Sequence, residues 1–189
     1  MIPMTIRELA SIMKGRAVGD GDISTEAKFQ FDSRAVQPGD IFLALRGERT
    51  DGHNFIEDAQ SHGAALSIVS QPVSGAHILV DDVMHAVALA ASHLRTTLKN
   101  LRVIGITGSQ GKTTTKDMVN SILANEGKTV AAKGSFNNDL GVPLTLLRCT
   151  DETKFCVVEM GARHGGDIAA LTRIAKPDRS EEHTSELQS

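Results

Sequence analysis

An α/β fold built from two successive units is what this sequence predicts, and three observations carry the prediction. Short apolar runs alternate along the chain with stretches whose apolar residues recur at helical spacing. In the second half those runs, Leu101–Thr107 and Phe155–Met160, are apolar nearly throughout. A strand buried on both faces of a parallel sheet needs that composition. Neither a repeat nor a low-complexity linker interrupts the 189 residues, a length that suits one large domain or two small ones.

The elements follow in order. Thr5–Lys14 reads as a short helix: Thr5 caps it, Ile6, Leu9, Ala10 and Met13 form one face, and Gly15 stops it. The turn Pro38-Gly39-Asp40 leads into a strand, Ile41–Leu45. Asn54–His62 places Phe55, Ile56 and Ala59 on one side and ends at Gly63, a second helix. Ala65–Val69 and His77–Val80 read as strands separated by a Pro/Gly/Ser turn. Asp81-Asp82 opens a longer helix in which Val83, Val87, Ala90, Leu94 and Leu98 recur, and the boundary between units is placed near residue 82. The second unit then runs strand Leu101–Thr107, helix Lys112–Glu126 closed by Gly127, and strand Thr129–Ala132. It continues with a short helix Leu140–Leu147 carrying Pro143 in its first turn, strand Phe155–Met160 and helix Asp167–Ala175. Arg179–Ser189, RSEEHTSELQS, has one aliphatic residue and no periodicity. It is read as the translation of a sequencing adapter and left out of the fold, so that the chain is expected to be cut short after Asp178.

Composition excludes several functions. The net charge of −3 opposes a nonspecific nucleic-acid binder. No stretch approaches the roughly 18 apolar residues of a membrane helix, and MIPMTIRELA lacks the pattern of a signal peptide, so a cytoplasmic protein is expected. With six Phe and neither Trp nor Tyr, the cores must be aliphatic. Cys149 and Cys156 match no zinc or C-x-x-C spacing and read as reduced, buried thiols. The seven histidines show no metal-binding pattern.

The stretch Gly105–Asp117, GITGSQGKTTTKD, carries the chemistry. It joins a buried strand to a helix, the context a phosphate loop requires. Gly108 and Gly111 let the backbone turn tightly and bring N–H groups close to an anion. The helix N-terminus points at the same place with about half a positive charge. Ser109 and Gln110 complete the turn. Lys112 would reach the β- and γ-phosphates of ATP, Thr113 would set a hydroxyl on Mg²⁺, and Thr114 adds a cap or a further donor. The common G-x-x-x-x-G-K-[ST] pattern needs a glycine where this chain has Ile106.

The shorter form T-G-x-x-G-K-T-T, here Thr107–Thr114, resembles the phosphate loop of the Mur ligases and their folylpolyglutamate synthetase relatives, ATP-dependent enzymes that join a carboxylate to an amine. Phe136–Leu147, FNNDLGVPLTLL, and Val158–Ile168, VEMGARHGGDI, resemble the branch of that family that adds D-alanyl-D-alanine to UDP-N-acetylmuramoyl tripeptide. Asp32-Ser33-Arg34, the run Gly39–Leu45 and Asp51-Gly52-His53 resemble the family's UDP-substrate domain. The resemblance covers Thr5–Asp178 and implies a small N-terminal α/β UDP-substrate domain over 1–82. An incomplete P-loop-type parallel-sheet ATPase domain over 83–178 and a non-native tail over 179–189 complete the expected chain. The family's C-terminal, amine-binding domain is not in it, so this chain alone is not expected to complete ligation.

The resemblance also assigns roles, each beside a plainer reading. Glu159 would be a magnesium ligand with Thr113, and otherwise is a solvated strand-end carboxylate. Asn137 and Asn138 would lie near the junction of ATP and substrate, and otherwise serve as turn or cap residues. Ser33 and Arg34 would contact the UDP pyrophosphate, and otherwise form an ordinary loop ion pair. His164 is a loop histidine beside the site, and Asp51-Gly52 reads first as a turn. Lys112 and Glu159 are the residues expected to carry catalysis. A different P-loop ATPase or kinase, another ligase of the family and a nucleotide-binding fragment without catalysis stand as alternatives. Neither the third residue of the peptide nor the oligomeric state is legible.

Overall fold

The computed structural model describes residues 2–47 and 50–183, the last three by backbone alone. The chain forms two compact units, Met1–Ala90 and Ala91–Ser189.

In the first unit, β1 (Met4–Thr5) runs into α1 (Ile6–Ile12). Thr5 Oγ1 accepts the Glu8 N–H and Glu8 Oε2 accepts the Thr5 N–H, a reciprocal cap that fixes where the helix starts. Next come β2 (Arg16–Val18), β3 (Ser24–Thr25), β4 (Phe29–Gln30), β5 (Ile41–Leu43), α2 (Ile56–Ser61), β6 (Leu66–Val69) and β7 (His77–Leu79). β4, β5, β6 and β7 pair in parallel, and β2 closes the edge antiparallel to β7. β1 and β3 form a separate antiparallel pair. Phe42, Ala44 and Val69 pack with Val36, Ile56 and Ala59 in the core, which is aliphatic but for that one ring. The region read as a helix from Asn54 begins as a 3-10 turn, Gly52–Phe55. Asp51 caps it, accepting from the His53 N–H and sitting 2.6 Å from His53 Nδ1. A Cβ on Gly52 would lie 2.6 Å from the Leu45 nitrogen, so the Asp-Gly pair here is a structural device.

α3 (Val83–Thr97) contains the division between the units. The second unit then follows as β8 (Arg102–Gly108), α4 (Lys112–Ala124), β9 (Thr129–Ala131), α5 (Gly141–Leu147), β10 (Phe155–Glu159), α6 (Asp167–Ala175) and β11 (Arg179–His183). Its sheet has the order β11-β8-β10-β9 and every pairing is parallel. Strand–helix crossovers in a parallel sheet bring the carboxyl ends of the strands to one edge, where ligands bind in such folds. Val103, Ile106, Val157 and Val158 are fully buried, as their unbroken apolar runs demand. Cys149 and Cys156 are free and sealed in this core, and the neighbouring thiol together with burial pushes Cys156 well above the ordinary thiol range. Among the described residues no helix is long and apolar enough to cross a membrane.

One expectation is corrected. Arg179–Ser189 was to lie outside the fold, yet Arg179–His183 form β11, in register with Ile104–Gly108 of β8. The ladder is made by main-chain groups and needs no apolar side chains. Asp178 delivers the chain to it: its N–H donates to Val103 O at 2.8 Å, and its Oδ2 accepts from the Val103 N–H at 2.7 Å and from Arg95 Nη2 at 2.9 Å. Residues 184–189 lie outside the described residues.

Candidate nucleotide-binding site

The site forms at the carboxyl edge of the second sheet. β8 ends in Gly108, at φ 139°, and the chain turns through Ser109 and Gln110 to Gly111, at φ 71°. A Cβ on Gly111 would meet no atom within 4 Å, so backbone conformation, not space, favours glycine there. Gly111 is the N-cap of α4, and no side chain caps the helix, which leaves its first-turn N–H groups to an anion. Lys112 Nζ lies over the loop, donating to Gly108 O at 2.7 Å.

Glu159 stands opposite. It pairs with Ile106 in the β10–β8 register, which sets the end of β10 beside the start of the loop. The residue is only 1% exposed, which removes the reading of a solvated strand end. Thr113 Oγ1 donates to its Oε2 at 2.9 Å, and Asn137 Nδ2 donates to its Oε1 at 2.9 Å. Among the described residues no ion pair includes Glu159, so a buried carboxylate here is met by two neutral donors. A carboxylate buried in its charged form calls for a counter-charge. A hydroxyl and a carboxylate oxygen are the hard donors that Mg²⁺ takes when phosphate oxygens and water fill its remaining positions. The residues therefore fit a magnesium–nucleotide.

A cleft of about 820 Å³ adjoins this edge. Thr107, Gly108, Ser109 and Lys112 line one side, and Asn137, Asn138 and Gly161–His164 line the other. Gln110, Gly111 and Thr114 sit in the loop and the first turn of α4, outside that lining. The two asparagines divide the labour: Asn137 reaches Glu159, whereas Asn138 Oδ1 accepts the Gly141 N–H at the start of α5, as a cap does. His164 is 85% exposed on its side chain, with Nδ1 3.9 Å from Asp167 Oδ2. Asp167 itself escaped the sequence reading. It accepts the N–H groups of Arg163 and His164, and those two bonds hold its carboxyl below the usual range. The quoted run VEMGARHGGDI contained it, but nothing in the pattern separates an aspartate that ties down the preceding loop from any other.

Ser33 and Arg34 belong to the first unit, in a 3-10 turn, Ser33–Ala35. Ser33 is buried, and Arg34, 83% exposed on its side chain, is held by Asp32 through Nε at 2.9 Å and Nη2 at 2.7 Å. The Arg34 side chain, and then its N–H, lower Asp32 to about 2.

Known proteins resemble this chain along most of its length. The family profile described as Mur ligase family, catalytic domain matches residues 29–110, and that of the Mur ligase middle domain matches residues 106–180. A UDP-N-acetylmuramoyl-tripeptide--D-alanyl-D-alanine ligase of Mycobacterium tuberculosis is 40% identical over 94% of this chain, and its namesake in Escherichia coli is 39% identical over the same share. The chain spans about two fifths of the length of these relatives. Crystal structure I of MurF from Acinetobacter baumannii superposes with a TM-score of 0.87 at 36% identity, covering 95% of this chain and 40% of that one. A MurF ligase of Thermotoga maritima in complex with ADP gives 0.71 at 35% identity, covering 81% and 36%. With an α/β fold of parallel sheets and a phosphate loop facing a buried glutamate, the chain belongs to the Mur ligase family.

Proposed function

We propose that this chain is part of an ATP-dependent ligase that joins D-alanyl-D-alanine to UDP-N-acetylmuramoyl tripeptide, a cytoplasmic step in making peptidoglycan precursors. The observation that carries the reading is Glu159, buried without a counter-charge and aimed at the same edge as the phosphate loop. The relatives named above bear that activity in their names, and one of them was crystallised with ADP.

In such a reaction the peptide carboxylate attacks the γ-phosphorus of ATP, the bond to ADP breaks, and an acyl phosphate results. The dipeptide amine then adds to the acyl carbon and phosphate leaves. The physical obstacle to the first step is repulsion between two anions. Bound Mg²⁺, taken by Thr113 Oγ1 and Glu159, would supply positive charge beside the phosphates. Lys112 supplies the other cation: its Nζ sits at the mouth of the loop and exchanges Gly108 O for phosphate oxygens. The N–H groups from Gly108 to Thr114, with Ser109 and Gln110 in the turn, wrap the phosphates without reorganising, because the two glycines have already paid the conformational cost. Asn137 keeps Glu159 turned toward the loop, and Asn138 fixes the start of α5 beside it. In the first unit, Ser33 and Arg34 hold the UDP pyrophosphate, with Arg34 trading Asp32 for the more highly charged acceptor.

Calorimetric titration of the chain with ATP and Mg²⁺ tests the site. The wild type binds, and Lys112→Ala gives no measurable binding. Unchanged affinity in that variant would remove the assignment of the loop.

A further inference from the structure

Lys116 lies on α4 one turn beyond Lys112 and takes no part in the chemistry above. It is 2% exposed, an unusual place for an ammonium group. Three acceptors surround its Nζ: Ala132 O at 3.0 Å, Gly134 O at 2.9 Å and Asp117 Oδ1 at 3.0 Å. The two carbonyls accept hydrogen bonds, and the Asp117 carboxylate adds an ion pair. Two of the three acceptors are main-chain carbonyls on either side of Lys133, where the chain leaves β9. Three residues further on is Asn137, whose carbonyl accepts the Gly161 N–H at 2.7 Å and whose amide holds Glu159. The loop between β9 and α5 is therefore fastened at its start to the helix that bears Lys112 and Thr113, and at its end to the strand that bears Glu159. An apolar side chain at 116 would take this donor from the buried Ala132 carbonyl and from the Gly134 carbonyl beside it, and free the start of the loop.

From this arrangement we propose that Lys116 is a positioning residue: it sets the Asn137 amide on Glu159, and so turns the carboxylate for the metal that accompanies the nucleotide. The inference rests on the nucleotide-site reading above and adds a residue that the phosphate-loop pattern does not contain. A lysine serving stability alone would lower the melting temperature of the chain and leave the metal dependence of ATP binding as it was. A positioning lysine changes that dependence.

The test measures ATP affinity of the chain by calorimetry, with Mg²⁺ and with EDTA, in wild type, Lys116→Met, Asn137→Ala and the double variant. The gain in affinity that Mg²⁺ brings to wild type falls about tenfold in Lys116→Met, the scale on which groups that orient metal ligands act. It falls by a similar factor in Asn137→Ala, and no further in the double variant, since both changes release the same carboxylate. With neither metal nor nucleotide present, the side-chain amide protons of Asn137 exchange with solvent faster in Lys116→Met than in wild type. Should Lys116→Met fail to fold, Lys116→Gln, which keeps donors for the carbonyls, carries the same cycle with a smaller loss of about threefold. Wild-type metal dependence in a folded Lys116 variant, or independent effects of the two substitutions, overturns the inference alone. A wild-type chain that binds no nucleotide overturns the site reading and the inference together.

Discussion

Arg34 and Asp32 hold one short turn of the first unit together. Asp32 accepts the Arg34 N–H and grips its guanidinium in the same short turn. The folded-state value of Asp32 is depressed, from 3.8 to about 2, so its support for the turn is complete above the unfolded value and fades as pH falls through the folded one. An NMR titration of the Asp32 carboxyl should therefore find its midpoint at about 2, with the Ser33–Ala35 amide signals moving in the same window. Asp32→Asn should abolish that movement. In the second unit, Glu159 illustrates what a sequence conceals. Its position at a strand end was plain from Phe155–Met160, but its partners come from a loop and a helix more than twenty residues away, through Asn137 and Thr113. Lys116 was harder still: a lysine following GKTTT on a helix reads as surface charge until the acceptors at Ala132 and Gly134 are seen.

At the scale of elements, the long periodic segments were the legible ones. Asp167–Ala175 has the bounds its apolar spacing implied, and α4 starts at Lys112 as the glycine before it required. β2, β4 and β11 were missed for a common reason. Two, three or five residues at a sheet edge carry no period, and the pairing partner decides their state. The Asn137–Asn138 pair divided between site and cap because successive residues in that loop face different neighbours, which no spacing rule encodes. The loop that follows β10 offers a sharper test of how these elements meet. A Cβ on Gly161 would stand 2.8 Å from Asn137 Cγ and 2.9 Å from its Oδ1. Gly161→Ala should therefore displace the Asn137 side chain. Overpacking of this sort costs about 1–3 kcal/mol of stability. It should weaken ATP binding in Mg²⁺ by about tenfold while the fold persists, readable by calorimetry beside a thermal melt.

Over the whole molecule, the chain has two units in series, with the Asp32–Arg34 turn in one and the glycine loop in the other, and the proposed function gives each a charged ligand. Free energy from nucleotide binding adds directly to the stability of the native state, by about 2.7 kcal/mol at a hundred times the dissociation constant. The sealed cysteines turn that quantity into something a reagent can time. Because neither Cys149 nor Cys156 offers sulfur to solvent, a thiol-directed dye can label them only during excursions in which the second core comes apart. Saturating ATP and Mg²⁺ should slow that labelling about a hundredfold, the kinetic image of the same 2.7 kcal/mol when reclosing outpaces reaction. The chain thus carries its own stopwatch for occupancy, already installed and needing no engineered reporter.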